Sequence, residues 1–196
     1  MISHDYKFIF LHIPKTAGLS IIKILGKYNP DEIYYYSHPR IRKYNKVRNK
    51  DLNYFVFTFV RNPFSRILSA FNYLKNGGVN IQDRRIRNRF KLDEIDFKTF
   101  VKTNIKDDSI NTDHFKPQLH YMDYDAKKIN FIGKFENLQE DFNIICDKIK
   151  IPKQELPHKN KSKHKHYTEY YDDETREIVA EKYAMDIEYF GYEFGE

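Results

Sequence analysis

The chain has 196 residues, of which 40% are hydrophobic and 32% charged, a length and composition that suit one domain with a proper core and give no sign of a second. Lys and Arg number 34 against 28 Asp and Glu, a formal net charge of +6; such a surface suits a polyanionic ligand or nucleic acid, and charge alone does not choose between them. The single cysteine, Cys146, excludes an internal disulfide and fits a reducing compartment, while no leader or membrane-spanning run is read in the sequence, so the expectation is a cytoplasmic protein without stable membrane insertion.

Phe8 to Ile13 is a nearly unbroken apolar, β-rich run, as expected of a strand covered on both faces. Pro14 ends the ladder, Gly18 permits a tight turn, and Leu19 to Leu25 reads as a helix with Leu19, Ile22 and Leu25 along one side. The N–H groups of that helix's first turn, its positive dipole end, the Lys15 ammonium and the Thr16 and Ser20 hydroxyls then converge on one place. That combination suits a phosphate-like group, and the implied ligand is a nucleotide anion. The loop is not G-x-x-x-x-G-K-[ST]: Lys15-Thr16 precedes the glycine instead of following it. Taken alone, the pair reads equally as a surface lysine beside a capping threonine.

Ile33 to Tyr36 is predicted as a short strand closed by Pro39, which puts His38 at a strand end, where parallel-sheet enzymes gather their chemistry. Arg40, Arg42, Lys43, Lys46, Arg48 and Lys50 read as a solvated basic loop or, alternatively, an acceptor-binding one. Tyr54 to Val60 is a second buried strand. Pro63 follows where a helix start tolerates proline, and Ile67, Leu68, Phe71 and Leu74 make an apolar stripe. Arg61 sits at the strand's end and Ser69 about two turns into the helix, so both can reach one edge of a bound nucleotide. Singly, each also reads as an ordinary capping arginine and an ordinary helix serine.

Together, Ile13-Pro-Lys-Thr-Ala-Gly-Leu-Ser20 and Phe57-Thr-Phe-Val-Arg-Asn-Pro-Phe-Ser-Arg-Ile-Leu-Ser-Ala-Phe71 resemble the two nucleotide motifs of sulfotransferases that use adenosine 3′-phosphate 5′-phosphosulfate (PAPS), specifically the family of carbohydrate sulfotransferases and their smaller relatives. The resemblance implies one sulfotransferase domain over residues 1–196, an α/β fold with a P-loop-like parallel sheet flanked by helices. It further implies PAPS as donor and a hydroxyl of a carbohydrate-type acceptor as partner; because a transferred sulfuryl group carries less charge than a terminal phosphoryl group, no metal is expected. Pro14, Lys15, Thr16, Ala17, Gly18, Leu19 and Ser20 would hold the phosphosulfate, and Arg61 and Ser69 the 3′-phosphate. Lys15 would neutralise the leaving group. A histidine near His38 acts as base in the family, usually after glycine; here Ser37 takes that glycine's place.

The remaining chain is read in the same order. Asn76 to Arg89, with Gly77-Gly78 and then Arg84, Arg85, Arg87 and Arg89, reads as a polar excursion or an exposed charged helix. Asp96 is expected to cap a short helix with Phe97, Phe100 and Val101 inward. By the resemblance His114, Gln118 and His120 are candidates for acceptor contact, with His114 the second choice of base; each also reads as a residue of an ordinary surface loop. Phe131 to Glu136 resembles the family's late strand, with Gly133 allowing a close backbone approach, and Glu136 to Ile149 is an amphipathic helix burying Leu138, Phe142, Ile145, Cys146 and Ile149. Asn160, Ser162 and Lys163 look like a lid on the nucleotide. The histidines 158, 164 and 166 lack a carboxylate or thiol to complete a metal site. A final helix over Tyr170 to Tyr183, capped by Asp172, leads to C-terminal aromatics expected against the sheet.

Two other functions compete. A divergent nucleotide kinase or NTPase would need an Mg²⁺ carboxylate at a strand end, and Arg61 occupies the place after Val60. A basic nucleic-acid-binding domain explains the charge and the 16 Phe and 16 Tyr, but not the two matched motifs.

Overall fold

Phenylalanine at alternate positions of two successive strands builds the first core. The structure, a computed structural model, describes residues 1–28, 40–44, 54–157 and 165–196; the predicted strand over residues 33–36, the base candidate His38 and the lid residues Asn160, Ser162 and Lys163 lie outside them. Four strands, β1 (Ile2–Ser3), β2 (Phe8–Leu11), β3 (Phe55–Val60) and β4 (Phe131–Lys134), form one sheet in the order β1-β2-β3-β4. β1 pairs antiparallel with β2, and the β2–β3 and β3–β4 pairs are parallel, with Phe10 beside Phe57 and Phe59 beside Gly133. This is the α/β, mostly parallel architecture that the sequence predicts.

The chain divides into two compact units, residues 1–61 with 118–161 and residues 62–117 with 162–196. In the first, Phe8, Phe10, Phe57 and Phe59 share one face of the sheet by the strand's period of two. Helices α1 (Gly18–Leu25) and α5 (Leu138–Ile149) bury Ile21, Ile24 and Leu25, and Phe142, Ile145, Cys146 and Ile149, against that face. The α1 stripe therefore differs from the expected one: Leu19 is 48% exposed, and the packed residues are spaced i, i+3, i+4 from Ile21. β2 is buried at all four positions, so it shows no alternation. A Cβ at Gly133 would stand 2.5 Å from the Phe59 ring, which is why β4 needs glycine there. Cys146 is a core thiol, and burial pushes its pKa up.

The second unit is built on α2 (Pro63–Lys75). Asn62 caps it by accepting from the Phe64 N–H at 3.1 Å, Pro63 fills the first helical position, and Ile67, Leu68, Phe71 and Leu74 are buried as predicted. The arginine-rich segment forms α3 (Ile81–Arg89), exposed except at Asp83 and in parts of the Ile86 and Arg87 turn. α4 (Phe97–Phe100) is capped by Asp96 and runs on into a π-helical turn, Val101–Ile105. α6 (Asp173–Lys182) starts with a reciprocal capping box between Asp172 and Thr175; hydrogen bonds from the Thr175 amide and hydroxyl, with Lys98 and Lys102 nearby, hold the Asp172 carboxyl well below the usual carboxylate range. A further helix, α7 (Ala184–Phe190), follows at once. The C-terminal Phe194, expected against the sheet, instead stacks edge-on against Phe64, Tyr167 and Tyr171 of its own unit.

Candidate active site

In the first unit the chain leaves β2 through His12, Ile13 and Pro14, all buried, and turns sharply before α1. Lys15 and Ala17 both lie in the left-handed region, at φ 69° and 64°. Such conformations cost a non-glycine residue about 1 kcal/mol or more, and they persist only where surrounding contacts fix them. One such contact is the buried Thr16 hydroxyl, which donates to the Ile13 carbonyl at 2.9 Å and closes the turn. Ala17 is the N-cap of α1 and provides no side-chain acceptor, though its carbonyl accepts from Ser20 at 2.9 Å. The helix thus presents its positive end to the loop with no capping side chain in the way, an arrangement that suits an anion.

His12 and Gly18 define the back of this loop. The His12 imidazole stacks on Phe10 at 5.9 Å, and a Cβ on Gly18 would fall 1.9 Å from that ring. Glycine at position 18 is required by this approach, not by an unusual backbone angle. Ser20, on the first turn, donates its hydroxyl to the Pro157 carbonyl at 3.0 Å. Pro157 is the last described residue before the segment that carries Asn160, Ser162 and Lys163.

Arg61 enters the same unit from the end of β3. Its backbone N–H donates to Gln118 Oε1 at 2.9 Å, and its carbonyl accepts from Gln118 Nε2 at 2.9 Å. Its guanidinium lies 4.0 Å above the Phe135 ring and donates from Nη1 to the Lys15 carbonyl at 3.4 Å. The two motifs recognised in the sequence, Lys15 and Arg61, are therefore neighbours in space. His120, also in this unit, packs edge-on against Tyr121 and Tyr124.

The second unit holds Ser69, half-buried on α2, and His114, on a short 3-10 turn over Asp113–Phe115. His114 Nε2 stands 3.2 Å from Asp83 Oδ1, and its ring lies 5.2 Å from that of Tyr73. Asp83 Oδ2 accepts from the Tyr73 hydroxyl at 2.6 Å and from the Val79 N–H at 3.1 Å. Burial raises the Asp83 pKa, but hydrogen bonds from His114, Tyr73 and Val79 outweigh it and hold the carboxyl well below the usual range. The buried Arg66 guanidinium donates to the His114 carbonyl at 3.2 Å and the Lys116 carbonyl at 2.6 Å, and Tyr183 donates to the Phe115 carbonyl at 2.6 Å. Every carbonyl from His114 to Lys116 is thus tied down inside the unit.

A profile of the sulfotransferase family matches residues 1–193, nearly the whole chain. The chain belongs to the sulfotransferase family. Among characterised sulfotransferases it is similar to carbohydrate sulfotransferase 14 of Mus musculus, 24% identical over 176 residues that cover 78% of this chain and 46% of the mouse protein. It is also similar to carbohydrate sulfotransferase 14 of Danio rerio, 23% identical over 232 aligned positions that cover 98% of this chain and 61% of the fish protein. An uncharacterised protein of Archaeoglobus fulgidus is 33% identical over 111 residues, 56% of this chain and 80% of its own length. This sulfotransferase chain therefore spans about half the length of the animal proteins it matches.

Of the residues singled out in the sequence, Pro14 to Ser20, Arg61, Gln118 and His120 fall in the first unit, and Ser69 and His114 in the second. Gln118, read as an acceptor contact, is fully buried and spends its amide on the Arg61 backbone. Asp83, Phe135 and His12 are the residues that sequence reasoning passed over. Phe135 and Asp83 meet Arg61 and His114 from distant parts of the chain, and His12 acts by lying against Gly18, a contact that no spacing rule marks. Among the described residues no group of three or more His, Cys, Asp or Glu side chains is placed to hold a metal ion, and no helix is long and apolar enough to cross a membrane.

Proposed function

We propose that this chain transfers a sulfuryl group from PAPS to a hydroxyl of a carbohydrate-type acceptor. The observation that carries the reading is the junction of Lys15 and Arg61: a strand-to-helix loop with two left-handed residues, an uncapped helix N-terminus, and a second cation held against the loop's own carbonyl. The residue types suit a doubly phosphorylated nucleotide, since the loop brings backbone N–H groups and a lysine and the end of the neighbouring strand brings a planar guanidinium. The similarity to carbohydrate sulfotransferase 14 of mouse and zebrafish supports an acceptor of the carbohydrate class.

In this reading Lys15, with the first turn of α1, binds the 5′-phosphosulfate oxygens and neutralises the charge that gathers on the leaving phosphate. Arg61 binds the 3′-phosphate; the share of Ser69 in doing so rests on the resemblance alone. The acceptor oxygen forms the new S–O bond as the S–O bond to the phosphate breaks, and the electron pair leaves with the phosphate. The acceptor's proton passes to a histidine, for which His38 is the candidate; a neutral imidazole is available because its ordinary pKa is about 6.5. His114 Nε2 already faces Asp83 and its carbonyl is held by Arg66, so it is the second choice. Asn160, Ser162 and Lys163 would close over the nucleotide.

The test is transfer of labelled sulfuryl from PAPS to a panel of neutral and acidic polysaccharides, by wild type, Lys15→Ala and His38→Ala. The reading expects label on at least one polysaccharide with wild type and little with either variant. No transfer, together with salt-sensitive nucleic-acid binding indifferent to PAPS, would favour the basic-domain alternative.

A further inference from the structure

This inference rests on the assignment of Arg61 to the 3′-phosphate and concerns what makes that arginine selective. The ladder between β3 and β4 ends at Val60 and Lys134. One residue further on, both backbone polar groups of Arg61 are taken by a single side chain, the Gln118 amide, which accepts from the N–H and donates to the carbonyl at 2.9 Å each. A primary amide offers a donor and an acceptor side by side, so Gln118 does for Arg61 what a neighbouring strand would do. It is 0% exposed, and water cannot compete for either bond.

With its backbone fixed, the Arg61 side chain starts in a defined direction. Phe135, on the turn directly after β4, supports the guanidinium plane at 4.0 Å, and the Lys15 carbonyl takes one of its edges. A guanidinium binds an oxyanion well when its fork is already oriented, because little rotamer freedom is then lost on binding. We propose that Gln118 is a positioning residue of the nucleotide site: through the Arg61 backbone it sets the guanidinium, and it thereby confers preference for a nucleotide bearing a 3′-phosphate over one without it.

The experiment is calorimetric titration of the full chain with adenosine 3′,5′-bisphosphate and with adenosine 5′-monophosphate. The proteins are wild type, Gln118→Leu, Gln118→Asn, Arg61→Ala and the Arg61→Ala/Gln118→Leu double variant. Gln118→Leu keeps the bulk and removes both hydrogen bonds; Gln118→Asn keeps the amide but falls one methylene short. Each is expected to lower the preference for the bisphosphate at least tenfold while the monophosphate affinity moves less than twofold. The double variant is expected to match Arg61→Ala, since the effect runs through that residue. Where the leucine variant does not fold, as judged by circular dichroism, the asparagine variant decides in the same way.

Retention of the bisphosphate preference in the Gln118 variants overturns the proposal. A parallel loss of both nucleotides overturns it too, because that is the mark of a merely structural residue. So does a double variant in which the preference drops further than in Arg61→Ala. A wild-type chain with no bisphosphate preference instead sinks the assignment of Arg61 itself, and this inference with it.

Discussion

The Arg61 guanidinium donates to the backbone carbonyl of Lys15 at 3.4 Å, joining two residues 46 positions apart in the chain. Lys15 is in the left-handed region, and a carbonyl tied to a cation on the next strand is one reason that it stays there. The contact also makes the two cations depend on each other. Lys15→Ala and Arg61→Ala are each expected to weaken adenosine 3′,5′-bisphosphate binding by about tenfold to a hundredfold, the range for loss of a charge-assisted hydrogen bond. Calorimetry on both single variants and the double variant checks this, with the double variant losing less than the two single effects combined.

Gly18→Ala inserts a methyl group into the His12 imidazole, at 1.9 Å in the unrelaxed geometry. Overpacking of this kind costs about 1–3 kcal/mol. Because Gly18 opens α1 with ordinary helical angles, the cost is steric, and His12→Ala/Gly18→Ala should recover most of it. Urea unfolding of the two single variants and the double variant gives the answer, and a double variant less stable than either single one would contradict the steric account.

The Asp83 carboxyl carries a pH dependence whose sign is fixed. Its folded pKa lies below that of the unfolded chain, about 3.9, so its contribution is fully present above that value and is lost as the pH falls toward the folded pKa. Asp83→Asn is expected to destabilise the protein at pH 7 by about 1–3 kcal/mol, since it weakens acceptance from His114 and Tyr73. The gap between variant and wild type should narrow below pH 4. Thermal unfolding of both from pH 7 to pH 3 measures it; a gap independent of pH would contradict the shift.

Arg66 is buried to 0% exposure, and its fork spans the carbonyls of His114 and Lys116. Arg66→Ala leaves both carbonyls without that donor and should cost about 3 kcal/mol. Arg66→Lys should recover little, because a single ammonium cannot reproduce the two-pronged geometry. Denaturant midpoints of the two variants test this, and a lysine variant as stable as wild type would refute it.

The fold was legible where one period dominates. The α2 stripe of Ile67, Leu68, Phe71 and Leu74 keeps the helical spacing of three and four, and the unalternating β2 run matched a fully buried strand. α1 was harder, because Leu19, Ile21, Ile22, Ile24 and Leu25 offer two apolar stripes over eight residues, and only burial in the core cluster that also holds Phe10 and Phe142 selects the one through Ile21. The break between α6 and α7 at Tyr183 carries neither proline nor glycine, so no local signal marks the second helix. At the candidate site, Lys15 and Arg61 stand out in the sequence because each follows closely on an apolar strand. The resemblance points Gln118 toward the acceptor, whereas its bond to the Arg61 backbone, 57 positions away, leaves no local pattern.

The most direct test of the central claim is calorimetry of adenosine 3′,5′-bisphosphate beside adenosine 5′-monophosphate and ATP, on wild type and Arg61→Ala. A PAPS site predicts that the bisphosphate binds wild type more tightly than either competitor and that Arg61→Ala removes the advantage over the monophosphate. ATP binding as tightly as the bisphosphate, or an advantage that survives Arg61→Ala, would contradict it.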